Sequence, residues 1–185
     1  MEIECKIPVK NLKAIEDRLI ALGAVLHMSG LEHNEILDDV QRTLYKERRV
    51  LRLRTWPNQF SEGLLTFKAP YAGESAFKTR HEWETEVADP TIMRSILKQL
   101  GYTEIIVYEK HRAIWTWEGM TIALDHFSEL GDFIEVEGNE EGIKRVLMTL
   151  SLDSSHHTNK NYVTLWEEYL REHGETTWRN CLIKQ

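Results

Sequence analysis

Cysteine and proline are scarce in this chain of 185 residues, which contains two cysteines and four prolines. Cys5 lies near the start and Cys181 near the end, a spacing that gives neither a disulfide framework nor a cysteine metal site. We expect both thiols to be reduced, with Cys5 packed outside the sheet as a small hydrophobic side chain. No low-complexity linker divides the chain. We therefore predict one domain over residues 1–170, followed by a tail or an extra helix over residues 171–185.

Long apolar runs are also missing, since no segment approaches the ~18 consecutive apolar residues of a membrane span. The first residues lack the basic and apolar regions of a signal peptide, so we expect a cytoplasmic protein with no membrane partner. Lysine and arginine total 23 residues against 30 aspartates and glutamates, for a formal net charge of -7. This charge argues against nucleic-acid binding through a generally basic surface.

Charged and apolar residues alternate strictly at the start of the chain, over residues 2–7. Alternation is the strand period, so Glu2, Glu4 and Lys6 share one face and the apolar residues share the other. A single strand of this kind is typical of an ordinary half-solvated sheet. The pattern recurs, however, at residues 52–54, 66–68, 80–86, 110–112 and 135–137. Such repetition favours a sheet closed into a barrel with a polar lumen, whose apolar outer face is covered by helices.

Charges inside a barrel must be paired, because an isolated buried charge is very costly. Dense carboxylates favour hard divalent cations, while guanidinium and ammonium groups suit phosphate oxygens. A metal-bound polyphosphate satisfies both groups at once. The predicted lumen holds the cations Lys6, Arg52, Arg54, Lys68, Arg80, Lys110 and Arg112 and the carboxylates Glu2, Glu4, Glu82, Glu84, Glu86, Asp125, Glu135 and Glu137.

Helical spacing of apolar residues predicts helices over residues 11–23, 89–101, 140–150 and 162–170. In the second of these, Asp89 is the expected N-cap, Pro90 the first helical residue, and Ile92, Ile96, Leu97 and Leu100 line one side. Residues 69–76 form a loop that is a candidate lid over one mouth of the tunnel. His156 and His157 lack acidic or cysteine partners at a metal-site spacing, which favours a surface loop. Trp115, Trp117, Trp166 and Tyr169 are expected to pack on the barrel and not on a ligand.

The chain resembles the CYTH family, the triphosphate tunnel metalloenzymes that include class IV adenylyl cyclases and thiamine or inorganic triphosphatases. The family's Glu-x-Glu-x-Lys signature is found at residues 2–6. Other family elements follow in order at residues 51–54, 65–70, 78–84, 109–112, 123–125 and 130–137. The resemblance implies an α+β fold with an eight-stranded antiparallel closed barrel whose tunnel binds a triphosphate. It also implies a Mg²⁺ or Mn²⁺ cofactor and, for cyclase-like members, a homodimer.

The resemblance further implies roles for individual residues. Metal-binding positions correspond to Glu2, Glu4, Asp125, Glu135 and Glu137. Catalytic roles are implied for Lys68, Lys110 and Glu84. Triphosphate-binding positions correspond to Lys6, Arg52, Arg54, Lys68, Arg80, Lys110 and Arg112.

The second strand departs from the family pattern. Where the family often has Asp-x-Tyr-x-Asp, this chain has Asn34, Ile36 and Asp38 at the corresponding positions. This departure affects the recognition of a base more than the chemistry on phosphate. The remaining motifs resemble the class IV adenylyl cyclase branch, which converts ATP to cyclic AMP and pyrophosphate. Two alternatives stay open: a triphosphatase acting on thiamine triphosphate, inorganic triphosphate or a nucleoside triphosphate, and a non-catalytic polyphosphate-binding protein.

Overall fold

The computed structural model describes residues 1–174, which form eight strands and five α-helices. Most of the predicted tail, including Cys181, lies outside the described residues. The strands close into one antiparallel barrel in the order β1-β5-β4-β3-β2-β6-β7-β8. This confirms the predicted fold class. The strands are β1 (Glu2–Val9), β2 (Val25–Asp38), β3 (Val50–Thr55), β4 (Gly63–Pro70), β5 (Lys78–Val87), β6 (Thr103–Trp117), β7 (Met120–Phe127) and β8 (Gly131–Glu137).

The register of the strands places the alternating charges on the inner face of the barrel. β1 pairs with β8 from Glu4 opposite Glu137 to Val9 opposite Asp132, and this pairing closes the barrel. Cys5 and Ile7 point outward, where they belong to an apolar cluster that also contains Ile134 and Val136. The predicted packing of Cys5 outside the barrel is therefore confirmed.

Helices cover parts of the apolar outer wall. Each of the four longest begins at an Asn or Asp side chain that accepts a hydrogen bond from a backbone N–H of the first turn: Asn11, Asp89, Asn139 or Asn161. Such caps satisfy amides that have no partner inside the helix. The helices are α1 (Leu12–Ala21), α2 (Thr43–Lys46), α3 (Pro90–Gln99), α4 (Glu140–Thr149) and α5 (Tyr162–Glu172).

Helix α3 presents a different side to the barrel from the one that the sequence suggested. Leu97 is buried, but Ile92, Ile96 and Leu100 are 58%, 48% and 68% exposed. The buried side instead carries Leu97 together with the half-buried Met93 and Arg94. Arg94 interrupts the apolar pattern of this side, yet its guanidinium forms a bidentate pair with Glu35 of β2. This ion pair helps to turn the Arg94 side of the helix toward the barrel. The spacing of apolar residues alone does not predict that orientation.

The aromatic residues pack on the barrel as predicted, Trp115 and Trp117 on its outer wall and Trp166 and Tyr169 on the helix at one end of it. Trp115 is buried in the cluster around α1 and α4, and Trp117 packs against it. Trp166 of α5 is buried against Phe127 and Tyr162, with Tyr169 at the edge. No helix within residues 1–174 is long and apolar enough to cross a membrane.

Candidate functional site

The interior of the barrel is a charged cavity of about 230 Å³. All the residues predicted to bind triphosphate line it, as do Glu84 and every predicted metal ligand except Asp125. Glu86, expected in the lumen, is exposed at the end of β5 and does not line the cavity. The charged lining side chains are Glu2, Glu4, Lys6, Arg52, Arg54, Lys68, Lys78, Arg80, Glu82, Glu84, Lys110, Arg112, Glu135 and Glu137.

Two glutamates of β1 are held by lysines of β4 and β5. The ammonium of Lys68 lies 2.6 and 2.7 Å from the two carboxylate oxygens of Glu2. Burial nevertheless raises the pKa of Glu2 to about 7, against the opposing effect of Lys68. Glu4 forms a close ion pair with Lys78. Burial disfavours its charge, but the Lys78 ammonium lowers the pKa of Glu4 to about 2.

The carboxylates form a site with the chemistry of a divalent-cation site. Glu4 and Glu137 are directly opposite each other on β1 and β8, and both line the cavity. Like charges in directly opposite positions destabilise a sheet. Burial raises the pKa of Glu137, and the Glu82 and Glu4 carboxylates raise it further against Lys68. A hard cation with oxygen ligands removes this repulsion, so the donor set fits Mg²⁺ or Mn²⁺.

The carboxylates are turned toward lysines and arginines in this structure. Within residues 1–174, no three His, Cys, Asp or Glu side chains converge as a metal-binding group does. Glu135, for example, pairs with Lys6 at 3.1 Å and with Arg112. A cation held by Glu4 and Glu137 would therefore compete with Lys78 for Glu4.

Three cations on the opposite wall share a carboxylate that the sequence analysis missed. Glu32 of β2 is fully buried, and its Oε1 lies 3.4 Å from both Arg54 Nε and Lys110 Nζ. Arg112 Nε lies 3.9 Å from its Oε2. Burial opposes ionisation, but these cations hold the pKa of Glu32 far below its ordinary value. Glu32 therefore acts as a buried counter-ion that fixes Arg54, Lys110 and Arg112 in place.

Asp125 occupies a similar position behind the cavity lining. Arg112 donates two hydrogen bonds of 2.6 Å to it, and Lys110 donates one of 3.1 Å. The hydroxyl of Tyr162 donates a fourth, of 2.6 Å. The metal-binding role implied for Asp125 stays a prediction, and a metal there would have to displace these donors. As found, Asp125 orients Lys110 and Arg112.

Tyr162 brings helix α5 into the site, although it lies beyond the last strand. The Lys6 ammonium lies 3.7 Å from the centre of the Tyr162 ring, and the Lys110 ammonium lies 4.7 Å from it. Cation–π contacts of this kind stabilise ammonium groups that are shielded from water. Lys6 also donates a hydrogen bond of 3.2 Å to the carbonyl of Lys160. The segment before α5 and its first turn therefore close part of one end of the lumen.

Arg52 and Glu84 meet at Thr66 of β4. The Thr66 hydroxyl donates a 2.6 Å hydrogen bond to Glu84, and it accepts one of 3.3 Å from Arg52 Nη2. The Nε of Arg52 is buried without a hydrogen-bond partner. An unsatisfied donor of this kind is costly, and an anion in the cavity is a suitable acceptor for it.

Lys110 is fully buried among other cations. Burial, reinforced by the Arg112 charge, lowers the pKa of Lys110 to about 8, against the effect of Asp125 and Glu32. Lys110 is therefore mostly protonated at neutral pH and is close to the pH at which it gives up its proton. This is a property that proton-transfer chemistry requires.

The divergent part of β2 has structural partners. The amide of Asn34 bonds to Glu32 at 3.0 Å and accepts from Arg54 at 3.4 Å. Asp38 accepts backbone hydrogen bonds from Leu44 and Tyr45 at the start of α2. Ile36 lines the cavity with an apolar surface. Thus both polar side chains at these positions, Asn34 and Asp38, are hydrogen-bonded within the protein.

Several residues of the site were missed by the sequence analysis, and the signals that could have found them differ. Lys78 has the same strand parity as Arg80 and Glu82, so alternation alone would have found it. Glu32 shares its parity with Asn34, but it lies in a strand that looked mostly apolar. Tyr108 alternates with Lys110 on β6, and burial raises its pKa to about 12. Tyr162 lies on a helix, and no local pattern relates it to the lumen.

The comparisons with known proteins agree with this geometry. The model of the CYTH domain family matches residues 1–152. A relative from Methanocaldococcus jannaschii, named "Putative adenylate cyclase", is 26% identical over 175 residues, covering 89% of this chain and 98% of the relative. A solved structure from Pyrococcus horikoshii is 26% identical with a TM-score of 0.76, over 91% of this chain and 99% of that one.

A second solved structure, from Hippeastrum, shares the fold at lower identity. It is 20% identical with a TM-score of 0.67, over 95% of this chain and 97% of that one. Both structures match nearly the whole length of the barrel and its helices. The family model itself covers the strands β1–β8 and helix α4. The chain therefore belongs to the CYTH domain family.

Proposed function

We propose that this chain is a metal-dependent enzyme that binds a triphosphate inside the barrel and transfers a phosphoryl or nucleotidyl group. The observation that carries the proposal is the cavity itself, in which inward-facing lysines and arginines lie beside a cluster of glutamates. The cations grip phosphate oxygens, and the glutamates hold the metal. A pure anion receptor would gain from fewer carboxylates, so the retained glutamates favour an enzyme over a binder.

The proposed metal ligands are Glu2, Glu4, Glu135 and Glu137, with Asp125 as a further predicted ligand. A bound Mg²⁺ or Mn²⁺ neutralises phosphate charge and polarises the phosphorus centre for attack. The chain itself supplies orientation: Arg52, Arg54 and Arg112 hold the triphosphate so that an attacking oxygen approaches in line. Because Arg54 and Arg112 are fixed by buried counter-ions, they require little reorganisation during the reaction.

Three side chains are proposed to act on the reacting atoms. Lys110, whose pKa is lowered to about 8, neutralises a phosphate oxygen and supplies a proton to the leaving group. Lys68, which lies between Glu2 and Glu82, would bind a phosphate oxygen, and Glu2 would be a ligand of the metal. Glu84, hydrogen-bonded to Thr66, orients the attacking hydroxyl or water.

Adenylyl cyclase activity is the first candidate reaction. The relative from Methanocaldococcus jannaschii carries a name of this kind. In the cyclase reaction, the 3′-hydroxyl of the substrate's own ribose attacks the α-phosphorus, and pyrophosphate leaves. The lumen is smaller than the ~300–1,000 Å³ typical of pockets that enclose drug-sized ligands. The nucleoside of ATP therefore has to lie at a mouth of the tunnel.

Triphosphate hydrolysis is the second candidate, and the divergent β2 favours it. Asn34 and Asp38 are engaged within the protein, and Ile36 offers no polar group to a base. The structurally similar Hippeastrum protein is described as a putative adenylyl cyclase with a dominant triphosphatase activity. In hydrolysis, water attacks in place of the ribose hydroxyl. The protein then does not need to recognise the organic group of the substrate.

A product analysis separates these reactions. The purified protein is incubated with ATP, thiamine triphosphate and inorganic triphosphate, each with Mg²⁺ or Mn²⁺, and the products are resolved by chromatography. Cyclic AMP with pyrophosphate identifies the cyclase, and release of orthophosphate identifies a triphosphatase. Binding without any product would contradict the proposed enzyme and leave a polyphosphate-binding protein.

A further inference from the structure

A second cavity, here called the vestibule, adjoins one mouth of the lumen. Its volume is about 670 Å³. It lies where β2 and β4 end and β3 and β5 begin, at Asp38, Pro70, Val50 and Lys78. Both cavities are lined by Ile36, Val50, Lys78, Arg80, Asn161 and Val163, so the lumen opens directly into the vestibule.

The lining of the vestibule is strongly basic, although the whole chain is acidic. Asp38 is the one carboxylate that lines it, among the residues that the structure describes, and it is 1% exposed and accepts three backbone hydrogen bonds. Its charge is thus directed away from the cavity. The basic lining residues are Lys46, Arg48, Arg49, Lys78, Arg80 and Lys160.

These cations differ in how far they are already neutralised. Arg49 pairs with Glu47 at 2.9 Å, Lys160 pairs with Glu168 at 2.7 Å, and Lys78 is held in the close ion pair with Glu4 of the lumen. Lys46 and Arg48 are exposed, and within residues 1–174 no ion pair is described for either side chain. They are consequently available to an incoming anion.

Arg48 also joins the vestibule to the lumen. Its carbonyl accepts a 2.6 Å hydrogen bond from Arg80 Nη2, and Arg80 lines both cavities. An anionic chain that leaves the lumen therefore passes Lys78 and Arg80 and reaches Arg48 and Lys46. A neutral nucleoside gains little from this row of positive charges, whereas further phosphate groups form charge-assisted hydrogen bonds with them.

We infer that the vestibule is an extra phosphate subsite, which extends the tunnel for linear polyphosphates or nucleotides with more than three phosphates. The first three phosphates occupy the lumen, and the next ones pass Arg80 and lie on Lys46 and Arg48. This inference rests on the proposed binding of triphosphate in the lumen. It names a class of ligand, phosphate chains longer than a triphosphate, whether or not they carry a nucleoside.

The test measures equilibrium binding by calorimetry in Ca²⁺, a hard oxygen-seeking cation substituted for Mg²⁺. The ligands are inorganic triphosphate, linear inorganic hexaphosphate, ATP and adenosine 5′-tetraphosphate. The test variant is Lys46→Glu/Arg48→Glu. The control is Lys98→Glu/Lys144→Glu, which makes the same change of net charge at exposed positions on α3 and α4.

We expect wild-type protein to bind hexaphosphate about tenfold more tightly than triphosphate, since each new exposed phosphate–cation pair contributes modestly. Adenosine 5′-tetraphosphate should likewise bind more tightly than ATP. The test variant should lose this advantage while keeping its affinity for triphosphate, and the control should retain both. Loss of ATP affinity alone in the test variant would assign the vestibule to the nucleoside and overturn the inference.

Two further outcomes also decide the question. Equal binding of triphosphate and hexaphosphate by wild-type protein would overturn the vestibule subsite and leave the lumen site intact. If triphosphate itself did not bind, the proposed function would fail, and the inference would fail with it.

Discussion

At the scale of single residues, the cations of the lumen depend on buried carboxylates that lie behind the cavity lining. Glu32 and Asp125 are both fully buried, and between them they hold Arg54, Lys110 and Arg112. Cations that share so small a space repel one another unless counter-ions lie behind them. The site is thus preorganised for an anion by charges outside the binding surface.

Glu32→Gln tests this preorganisation. The change leaves three buried cations with less compensation, so we expect unfolding free energy to fall by about 3–5 kcal/mol, measured by urea denaturation. Adding metal and triphosphate should recover part of the loss, since the ligand supplies negative charge. Glu16→Gln, which removes an exposed pair with Lys13, should change stability by under about 1 kcal/mol. Wild-type stability for Glu32→Gln would refute the role of Glu32 as a counter-ion.

Glu4→Gln and Glu137→Gln test the metal site. Each variant removes a carboxylate from the directly opposite pair, so metal-dependent turnover should fall by about 100-fold or more. The fold should survive in both variants, because each relieves the repulsion between the two opposed carboxylates. Glu4→Gln also removes the ion-pair partner of Lys78, so we expect it to be the less stable of the two. Product formation is measured across a Mg²⁺ titration, with thermal melting as the check on folding and the exposed Glu141→Gln as control. Full activity in both variants would contradict the metal assignment.

Residue type and alternation were enough to predict most of the lumen. The lysines and arginines of β1, β3, β4, β5 and β6 follow the two-residue period of a strand. Once the sheet was assumed to close into a barrel, this period predicted that they face the lumen. Glu32 was missed because the acids of β2, Glu32, Glu35 and Asp38, do not follow a two-residue spacing and so give no strand-period signal. Tyr162 was missed because its contact with Asp125 joins a helix to a strand 37 residues away, and only tertiary packing creates it.

At the scale of elements, helix α3 shows why the choice of a helix face is harder to predict than the helix itself. Its caps and length follow from Asp89, Pro90 and the apolar spacing. Its orientation follows from the pairing of Arg94 with Glu35, a residue 59 positions earlier. Glu35 in turn lies 3.6 Å from His33, which bonds to Glu109 at 2.9 Å.

The Glu35 cluster makes stability depend on pH in a defined direction. Burial opposes the charge of Glu35, but Arg94 lowers its pKa to about 2 from an ordinary value of 4.5. Its contribution is therefore complete above pH 4.5 and is lost as pH falls toward 2. Hydrogen bonding to Glu35 raises the pKa of His33, against burial. The contribution of His33 is complete below its ordinary value of 6.5 and is lost as pH rises past its raised value.

Glu35→Gln should therefore flatten the acid side of the stability profile. We expect a loss of about 2 kcal/mol near pH 6, less than for a fully buried pair because Arg94 is half-buried. Urea denaturation at several pH values between 2 and 8 measures the slope, with Glu141→Gln as the exposed control. A variant whose profile runs parallel to that of the wild type would exclude the Glu35–Arg94 pair as the cause.

Helix α5 offers a cleaner test of an element that closes the barrel. Tyr162→Phe removes the hydroxyl that bonds to Asp125 but keeps the ring under Lys6 and Lys110. Hydrogen bonds to charged groups contribute about 1.5–3 kcal/mol, so the unfolding free energy should fall by that amount. Tyr169→Phe, on the same helix, is the control, as no hydroxyl hydrogen bond is described for Tyr169 within residues 1–174. Equal stability of the two variants would show that the contact with Asp125 does not anchor α5.

At the scale of the whole molecule, the charges in and behind the lumen balance. Among the described residues, eight lysines and arginines line the cavity with six glutamates, and Glu32 and Asp125 lie buried behind them. With all groups ionised the formal charge is zero. A free triphosphate therefore enters a site that has no excess of positive charge, although the whole chain carries a formal net charge of -7.

It follows that metal and triphosphate should bind together. Triphosphate with Mg²⁺ at about 100 times its dissociation constant adds about 2.7 kcal/mol of stability, which corresponds to a rise in Tm of about 5–10 °C. Triphosphate with a chelator, or Mg²⁺ alone, should raise Tm by much less. Each arm contains NaCl to equalise ionic strength, because screening weakens exposed charge interactions. An equal rise in Tm with and without Mg²⁺ would mean that the cations alone capture the anion, and that the glutamates have a purely structural part in the barrel.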